Sequence, residues 1–325
     1  MTPWNHHHNR WILLITACIL AGGCTSRDAP FLRSPKSLQT IASALAVSPD
    51  AEAYLPLYQS LLQGDPDATA NCNFILIDQP FFLTAYAAPV LEARRSRTPR
   101  YAHPIRGLPP EYQDGDSLPS RSELVATTGK IPTIAWVENA LDAYLAEVNG
   151  SVKLQFPNGE EACLAWAATN ERPYTSLGRL LVERGHIDRE AINLSSIRQL
   201  HNTNPRLVEE LMLENQRAVF FEEIPCEAWP RASSGAVLYP DCSVAVDPDV
   251  IPIGSILLIE TLLADGTELR QLVAAVDTGG AIRGGRIDLY MGAGKDALRR
   301  AGAQAQSAQA YILMPPSGRK EPDGK

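Results

Sequence analysis

Short apolar runs separated by turn-forming residues dominate the hydrophobic pattern of this chain. Residues 151–156 alternate apolar and polar side chains as a half-buried strand does, and the Pro-Asn-Gly at 157–159 favours a turn after it. Apolar runs at 73–77 and 81–86 predict two more strands, and a strand-like pattern returns from residue 218 onward. The pattern therefore predicts a β-rich protein.

Helical periodicity is confined to shorter segments. Apolar residues recur at helical spacing between residues 41 and 63, where Pro49 and Pro56 predict short pieces rather than one long helix. The stretch 93–121 is rich in Arg, Pro and Gly and predicts a long connecting loop. Three further short helices are predicted, at 174–184, 195–201 and 205–214.

Two aspartates flank a glycine-rich turn in the C-terminal β region. The apolar run 272–276 predicts a buried strand ending at Asp277, and residues 286–290 predict the next strand. Side chains alternate across a strand, so Ile287 and Leu289 would face the core. The residues that share the opposite face are Arg286, Asp288 and Tyr290. A carboxylate between a cation and a phenol, beside glycines that allow close backbone approach, indicates a site; a tight hairpin with Asp as a turn residue is the alternative.

A third aspartate belongs to the same β segment. Asp247 ends the apolar run 243–246 and precedes Pro248, so it also lies at a strand end. We expect Asp247 to stabilise a turn, with a contact to substrate as the alternative.

Composition narrows the function without identifying it. The chain has 325 residues, enough for about two domains, and a formal net charge of −8. This charge, without a basic stripe bearing aromatic residues, argues against binding to nucleic acid. No cysteine or histidine spacing resembles a zinc site, so neither a metal nor another cofactor is expected. Solenoid or propeller repeats are not found.

The N-terminal segment is typical of an export signal. Cationic residues precede the apolar run 11–23, which is shorter than the about 20 residues that span a bilayer. The following Cys24 resembles the lipidated first residue of a bacterial lipoprotein. We therefore expect residues 1–23 to be a lipoprotein signal peptide and residues 24–40 a tether; the alternative is ordinary secretion with a free Cys24.

Cysteine usage agrees with export. Besides Cys18 in the leader and Cys24, four cysteines remain, an even number that permits disulfides in an oxidising compartment. Cys226 and Cys242 flank a loop rich in Pro and Ser, and a bridge between them is expected. The remaining two are Cys72 and Cys163.

A set of motifs in series resembles one enzyme family. The three aspartates with the Gly-Gly-Ala-Ile turn at 279–282 resemble the three-aspartate domain of bacterial cell-wall lytic enzymes. Upstream segments resemble motifs of the membrane-bound lytic murein transglycosylase A family, in the same order, and together they cover roughly residues 75–315. These segments are 84–94 (Thr-Ala-Tyr-Ala-Ala-Pro-Val-Leu-Glu-Ala-Arg), 118–124 (Leu-Pro-Ser-Arg-Ser-Glu-Leu), 174–181 (Tyr-Thr-Ser-Leu-Gly-Arg-Leu-Leu) and 218–221 (Ala-Val-Phe-Phe).

The resemblance implies a fold that periodicity alone does not define. It implies a mainly β protein with a six-stranded double-psi β-barrel, an inserted second β-rich domain, peripheral helices and a glycan groove between the two domains. The implied boundaries are 41–93 plus 218–316 for the barrel, 94–217 for the insert and 317–325 for a disordered tail.

The resemblance also implies a chemistry. A lytic transglycosylase cleaves the β-1,4 bond between MurNAc and GlcNAc without water and leaves a 1,6-anhydro end. Asp288 would be the acid and base, and Asp277 would help raise its pKa, since an acid needs a pKa above the usual Asp value of about 3.9. Arg286 would lower that pKa if close, so it is expected to point towards solvent or glycan. The substrate-binding candidates are Thr84, Tyr86, Asp247, Gly279, Gly280, Ala281, Tyr290, Ser151 and Tyr174.

Some positions depart from the family pattern. Ala85-Tyr86-Ala87 stands where Gly-Tyr-Tyr is usual, Gly150-Ser151-Val152 where Gly-Ser-Gly is usual, and Glu147 replaces an Asp. These changes put the preference for substrate subsites in question and leave the expected acid intact.

The leading interpretation is an exported outer-membrane lipoprotein that faces the periplasm and cleaves peptidoglycan. Its expected partners are glycan strands and, through the lipid, the membrane. Two alternatives remain: a glycoside hydrolase with Asp288 as acid and Asp277 or Asp247 as base, and a peptidoglycan-binding protein without turnover.

Overall fold

A computed structural model describes residues 24–25, 34–63, 73–126 and 131–314. The predicted signal peptide, the predicted C-terminal tail and Cys72 lie outside the described residues. The described part of the chain is mainly β. Its strands are β1 (Cys24–Thr25), β2 (Asn73–Leu76), β3 (Phe81–Ala88), β4 (Val90–Arg94), β5 (His103–Arg106), β6 (Thr133–Val137), β7 (Ser151–Gln155), β8 (Glu161–Thr169), β9 (Val219–Ile224), β10 (Ser243–Ala245), β11 (Ile256–Leu262), β12 (Glu268–Asp277), β13 (Arg286–Ala293) and β14 (Ala305–Met314).

Helices lie at the periphery of these strands. The predicted strands near residues 73, 81 and 151 are confirmed as β2, β3 and β7, while β5 occupies part of the stretch predicted as a loop. The helices are α1 (Pro35–Leu45), α2 (Ala51–Leu62), α3 (Arg121–Ala126), α4 (Ala140–Asn149), α5 (Leu177–Glu183), α6 (Leu194–Thr203), α7 (Pro205–Met212) and α8 (Gly294–Gly302).

The larger sheet combines the two ends of the chain. Its strand order is β1-β2-β14-β11-β12-β10-β13-β3, and β14 also pairs with β3. Hydrogen bonding therefore passes from β14 through β11, β12, β10, β13 and β3 and returns to β14. Apolar side chains alternate as predicted on β13, where Ile287 and Leu289 are almost fully buried at 0% and 2% exposure.

The smaller sheet has the order β5-β6-β4-β7-β8-β9. Its strands β4 and β9 lie outside the predicted insert, residues 94–217, almost entirely. They join this sheet because β4 pairs in parallel with β7 and β9 pairs in antiparallel with β8. The smaller sheet therefore extends beyond residues 94–217 at both ends: the change of sheet falls between Ala88 and Val90 on one side and after Ile224 on the other.

Two N-terminal helices cover the larger sheet. The Ser34 side chain caps α1 by accepting from the Ser37 amide, and Pro35 occupies the first helical position. Thus α1 begins inside the predicted tether, residues 24–40, which is partly helical. The chain breaks near Pro49 as predicted, but Pro56 lies within α2 and does not end it.

The disulfide prediction is wrong. Cys226 is bonded to Cys163, while Cys242 is buried with a free thiol. The reason lies in strand pairing: Cys163 lies opposite Ile224, and this register brings it within reach of Cys226 just past the end of β9, with Cα atoms 5.2 Å apart.

The middle helices follow local sequence signals. The side chain of Asn204 accepts from the Leu207 amide and caps α7, with Pro205 as its first residue. Among the described residues, no helix has the length and apolarity to cross a membrane.

Candidate active site

Asp288 lies at the centre of three neighbouring strands. On β13 it pairs with Thr84 of the parallel strand β3 and, on the other side, with Ala245 of β10. In this register the Thr84 hydroxyl donates a hydrogen bond of 2.5 Å to Asp288 Oδ1. The pairing therefore brings together two residues that are 204 positions apart in sequence.

The surroundings of Asp288 raise the pKa of its carboxyl above the usual Asp value. Burial is the main cause, because removing water disfavours the charged form. The Thr84 hydrogen bond and the Arg286 cation oppose the shift, while the negative charge of Asp277 adds to it. The net direction suits a carboxyl that donates a proton.

Arg286 does not point freely outward as expected from the sequence. Its Nε donates to Thr84 Oγ1 at 3.0 Å, and its Nη1 donates to the Ala281 carbonyl at 3.4 Å. Its side chain is half-buried. Arg286 thus reaches Asp288 through the Thr84 hydroxyl, which accepts from the guanidinium and donates to the carboxylate.

Asp277, at the end of β12, is held by three hydrogen bonds. The Tyr86 hydroxyl donates to Oδ2 at 2.7 Å, and the Ser233 and Thr278 amides donate to Oδ1 at 2.8 and 2.9 Å. Together these three donors fix the orientation of the Asp277 carboxyl. Burial, and then the Asp277 charge, raise the pKa of Tyr86 well above its usual value, so the phenol remains a donor.

Ser233 was not predicted from the sequence. It lies in the loop between β9 and β10, where it binds Asp277 through its amide and accepts from the Thr278 amide through its hydroxyl at 2.9 Å. The only local signal is Ser233-Ser234-Gly235, a common loop composition that does not indicate a site by itself.

Tyr290 lies in the core instead of facing a ligand. It is 1% exposed, and its ring centroid is 5.4 Å from that of Tyr86. Burial raises the pKa of its phenol. Tyr290 therefore packs against Tyr86 on its buried side. The face that Tyr290 shares with Asp288 is covered by other elements at this point of β13.

The Asp247 carboxylate stabilises backbone turns. It is 7% exposed; Oδ2 accepts from the Gly284 amide at 2.7 Å and Oδ1 from the Asp249 amide at 3.2 Å. Asp247 thus connects the chain after β10 to the turn before β13, in line with the turn-stabilising interpretation.

The turn between Asp277 and Asp288 contacts the 170–176 segment. A Cβ on Gly280 would lie 3.5 Å from the Cβ of Tyr174 and 3.6 Å from its Cγ. Gly280 and Ala281 are exposed, so their backbone is accessible, whereas Gly279 packs closely against Ile282.

Ser151 is covered by the smaller sheet. It is 3% exposed, and its hydroxyl donates to the Leu164 carbonyl at 3.5 Å. Glu147, near it in sequence, forms a largely buried ion pair of 2.7 Å with Arg121. Both side chains therefore make their contacts inside the insert. None of these contacts involves Asp288.

The described residues contain no group of three or more His, Cys, Asp or Glu side chains placed to hold a metal ion. The cluster around Asp288 instead combines that carboxyl, whose pKa is raised, with the Asp277 carboxylate and its three donors. The Arg286 guanidinium is linked to Asp288 through the Thr84 hydroxyl. Chemically, such a cluster can donate a proton and then stabilise the resulting anion.

Comparison with protein families gives two matches in sequence order. Residues 82–222 match the MltA specific insert domain, and residues 242–314 match the 3D domain. The second match contains Asp247, Asp277 and Asp288. The first begins within β3, just before the smaller sheet starts at β4, and ends within β9, the last strand of that sheet.

Similar proteins and structures cover most of the chain. The membrane-bound lytic murein transglycosylase A of Vibrio cholerae is 34% identical over 78% of this chain and 73% of that protein. The Escherichia coli protein of the same name is 33% identical over 72% of this chain and 66% of its own length. A crystal structure of membrane-bound lytic murein transglycosylase from Agrobacterium tumefaciens superposes with a TM-score of 0.78 at 26% identity, covering 90% of this chain and 97% of that one.

A crystal structure of E. coli MltA with bound chitohexaose superposes with a TM-score of 0.75 at 27% identity, covering 91% of this chain and 92% of the other. The identity to the Vibrio cholerae protein, the two domain matches and these superpositions agree. The chain belongs to the membrane-bound lytic murein transglycosylase A family.

Proposed function

We propose that this protein is a lytic transglycosylase that cleaves the β-1,4 bond between MurNAc and GlcNAc in peptidoglycan, with Asp288 as the single acid and base. One observation carries this assignment: within the 3D domain, Asp288 is a half-buried carboxyl whose pKa is raised by burial. The function supports peptidoglycan turnover and cell-wall organisation.

The reaction needs one proton to make a round trip. Asp288 gives its proton to the glycosidic oxygen as the bond to C1 of MurNAc breaks, and GlcNAc leaves with a free hydroxyl. The C6 hydroxyl of the same MurNAc attacks C1, and the Asp288 carboxylate takes the proton of that hydroxyl. The bond formed is the 1,6-anhydro bridge, so no water is consumed and Asp288 ends protonated.

The neighbours of Asp288 suit both halves of this cycle. Burial and the Asp277 charge favour the protonated acid at the start. Midway, the Thr84 hydroxyl, itself oriented by Arg286, stabilises the anion through its hydrogen bond. Asp277, held by Tyr86, places a negative charge near the positive charge that develops at C1.

Glycan strands are the proposed partner. The E. coli relative carries chitohexaose in its crystal structure. In this chain we place the glycan along the exposed turn of Gly280 and Ala281, beside Tyr174 and above Tyr86. The polar groups there are the exposed backbone of this turn, the hydroxyls of the half-buried Tyr86 and Tyr174, and the Arg286 guanidinium.

We further propose a closed barrel for the larger sheet and an outer-membrane location for the protein. The circuit of β14, β11, β12, β10, β13 and β3 supports a six-stranded double-psi β-barrel, since two of its pairings, β10 with β12 and β13 with β3, are parallel. The lipoprotein-like signal before Cys24 supports lipidation of that cysteine and an outer-membrane location facing the periplasm.

Mass analysis of the soluble products from purified sacculi tests the function. We expect anhydro-muropeptides from the wild type and none from Asp288→Asn, which cannot give or take the proton. Asp296→Asn is the matched control, because its side chain is 86% exposed on α8 and should leave the products unchanged.

Other outcomes would each contradict part of the proposal. Products with free reducing ends would indicate a hydrolase, and unchanged release by Asp288→Asn would remove Asp288 from the mechanism. Sedimentation of the wild type with sacculi without any release would indicate a binding protein.

A further inference from the structure

A strap without regular secondary structure joins β8 to α5 and reaches the turn that carries Asp277. This strap, residues 170–176, contains Tyr174, whose side chain packs on Gly280 as described. Burial raises the pKa of the Tyr174 phenol, while Arg286 from the turn and Arg121 from the insert both lower it. Tyr174 therefore lies within electrostatic range of cations from both parts of the molecule.

The backbone of the strap has a specific shape that local preference would not maintain. Glu171 has φ 56°, in the left-handed region that residues other than glycine rarely adopt. Its amide donates to Thr169 Oγ1 at 3.1 Å. Such a conformation persists only where surrounding contacts determine it.

Two buried asparagines supply those contacts. Asn170, 8% exposed, is the first residue of the strap; it accepts from the Arg172 and Ala218 amides and donates to the carbonyls of Pro119 and Gln216. Asn215, 2% exposed, accepts from the Thr175 amide at 3.0 Å, directly beside Tyr174. The strap is thus fixed at both ends by side-chain amides from the insert.

Asn215 is itself oriented by a buried chain of contacts. Its Nδ2 donates to the Tyr144 hydroxyl at 3.1 Å, and the Arg121 guanidinium lies 4.8 Å from the centre of the Tyr144 ring. Arg121 is paired with Glu147. Because its donor is engaged by Tyr144, Asn215 presents its oxygen to the strap.

We infer that Asn215 is a positioning residue for glycan binding: it holds the strap so that Tyr174 stays packed on the Asp277–Asp288 turn and forms the insert side of the groove. This inference rests on the proposed function, since it takes that turn to border a glycan site. Asn215 acts through Tyr174 and does not touch the reacting atoms.

The test compares chitohexaose binding by calorimetry with turnover of sacculi in three variants. In Asn215→Ala the dissociation constant for chitohexaose should rise about tenfold, the effect of losing one buried hydrogen bond. Tyr174→Ala should weaken binding at least as much, and the double variant should bind no more weakly than Tyr174→Ala alone. In Asn215→Ala, turnover at saturating substrate and its pH profile should stay near wild type, because Asp288 is unaffected.

Two further variants separate positioning from loss of folding. Asn215→Asp keeps an oxygen for the Thr175 amide and another for the Tyr144 hydroxyl, so it should restore binding. Gln304→Ala is the matched control: Gln304 is also a buried amide, 5% exposed, and it accepts one backbone hydrogen bond, from Ala264. It should leave binding unchanged even if it lowers the unfolding temperature.

Results that contradict this inference differ from those that contradict the proposed function. Unchanged binding in Asn215→Ala, no rescue by Asp, or losses that multiply in the double variant would each overturn the inference, as would a wild type that does not bind chitohexaose. A wild type that shows the expected binding pattern but releases no anhydro products would support the inference and contradict the proposed function.

Discussion

At the scale of single residues, the Thr84 hydroxyl limits how far burial raises the pKa of Asp288. Thr84 accepts from Arg286 and donates to Asp288, so it relays a positive charge to the carboxylate without direct contact between the ions. This explains how an arginine two residues away can coexist with an Asp whose pKa is raised. Burial outweighs the relayed charge.

Replacing Thr84 tests this balance. Asp288 must be protonated to start the reaction, so kcat/KM should fall as pH rises through its pKa. The Thr84 hydrogen bond favours the ionised form, so Thr84→Val should move the alkaline limb of the pH–rate profile to higher pH. The measurement is initial release of soluble muropeptides from sacculi across pH.

Thr261→Val is the control for this experiment, because Thr261 lies on β11 and donates to the Ser307 carbonyl away from Asp288. Its profile should match that of the wild type. An alkaline limb that moves to lower pH in Thr84→Val would show that the hydroxyl does not stabilise the anion.

At the scale of elements, the approach of β3 to β13 places Thr84 beside Asp288. The two strands meet where the Phe82 amide donates to the Gly285 carbonyl at 2.8 Å. At Gly285 a Cβ would overlap the carbonyl oxygen of Pro80, so only glycine allows this approach. The close approach of β3 to β13 beside the candidate site therefore depends on the absence of a side chain at Gly285.

Gly285→Ala should separate β3 from β13 at this point. We expect a loss of about 1–3 kcal/mol in the free energy of unfolding, from denaturant titration, together with lower turnover of sacculi. Gly302→Ala is the control, since its Cβ would meet Leu194 at an ordinary 3.7 Å. Full activity of Gly285→Ala would mean that the strands adjust without disturbing the Thr84–Asp288 contact.

The disulfide acts at the same scale, because it closes a loop between β8 and the segment after β9. The bridged residues are 63 positions apart, so Cys163→Ser should cost about 2–4 kcal/mol of unfolding free energy. Cys242→Ser should cost less, since that thiol is free. Peptide mapping without reductant should recover Cys163 linked to Cys226; a peptide linking Cys226 to Cys242 would contradict the pairing.

At the scale of the whole molecule, the two sheets are joined closely in sequence and in space. Only Pro89 separates β3 from β4, and its carbonyl accepts from the Lys153 amide of β7 at 3.0 Å. The loop after β9 brings Ser233 to Asp277, and the strap brings Tyr174 to Gly280. The candidate site thus draws on strands of the larger sheet and on segments that follow two strands of the smaller sheet.

The proposed lipid anchor is also a property of the whole molecule. Cys24→Ser should move the protein from the membrane fraction to the soluble periplasmic fraction, because the acyl chains would be lost. Cys18→Ser is the control, since Cys18 lies in the predicted leader and its loss should not change fractionation. Continued membrane association of Cys24→Ser would contradict lipidation at this residue.

The sequence by itself determined the local features. Alternation on residues 286–290, the proline and asparagine at the start of α7, and the aspartates at strand ends depend on neighbours a few positions away, so they can be read directly. The motifs also identified the family, because their order along the chain is a property of sequence alone.

Tertiary structure decided what depends on distant pairing. It brought Thr84 to Asp288, Tyr86 and Ser233 to Asp277, and Cys163 to Cys226, across separations of 204, 191, 44 and 63 positions. It also buried Tyr290, whose position on the strand predicted exposure to a ligand. Periodicity assigns a side chain to a face of its own strand, but the packing of other elements determines which part of that face stays open and which groups meet there.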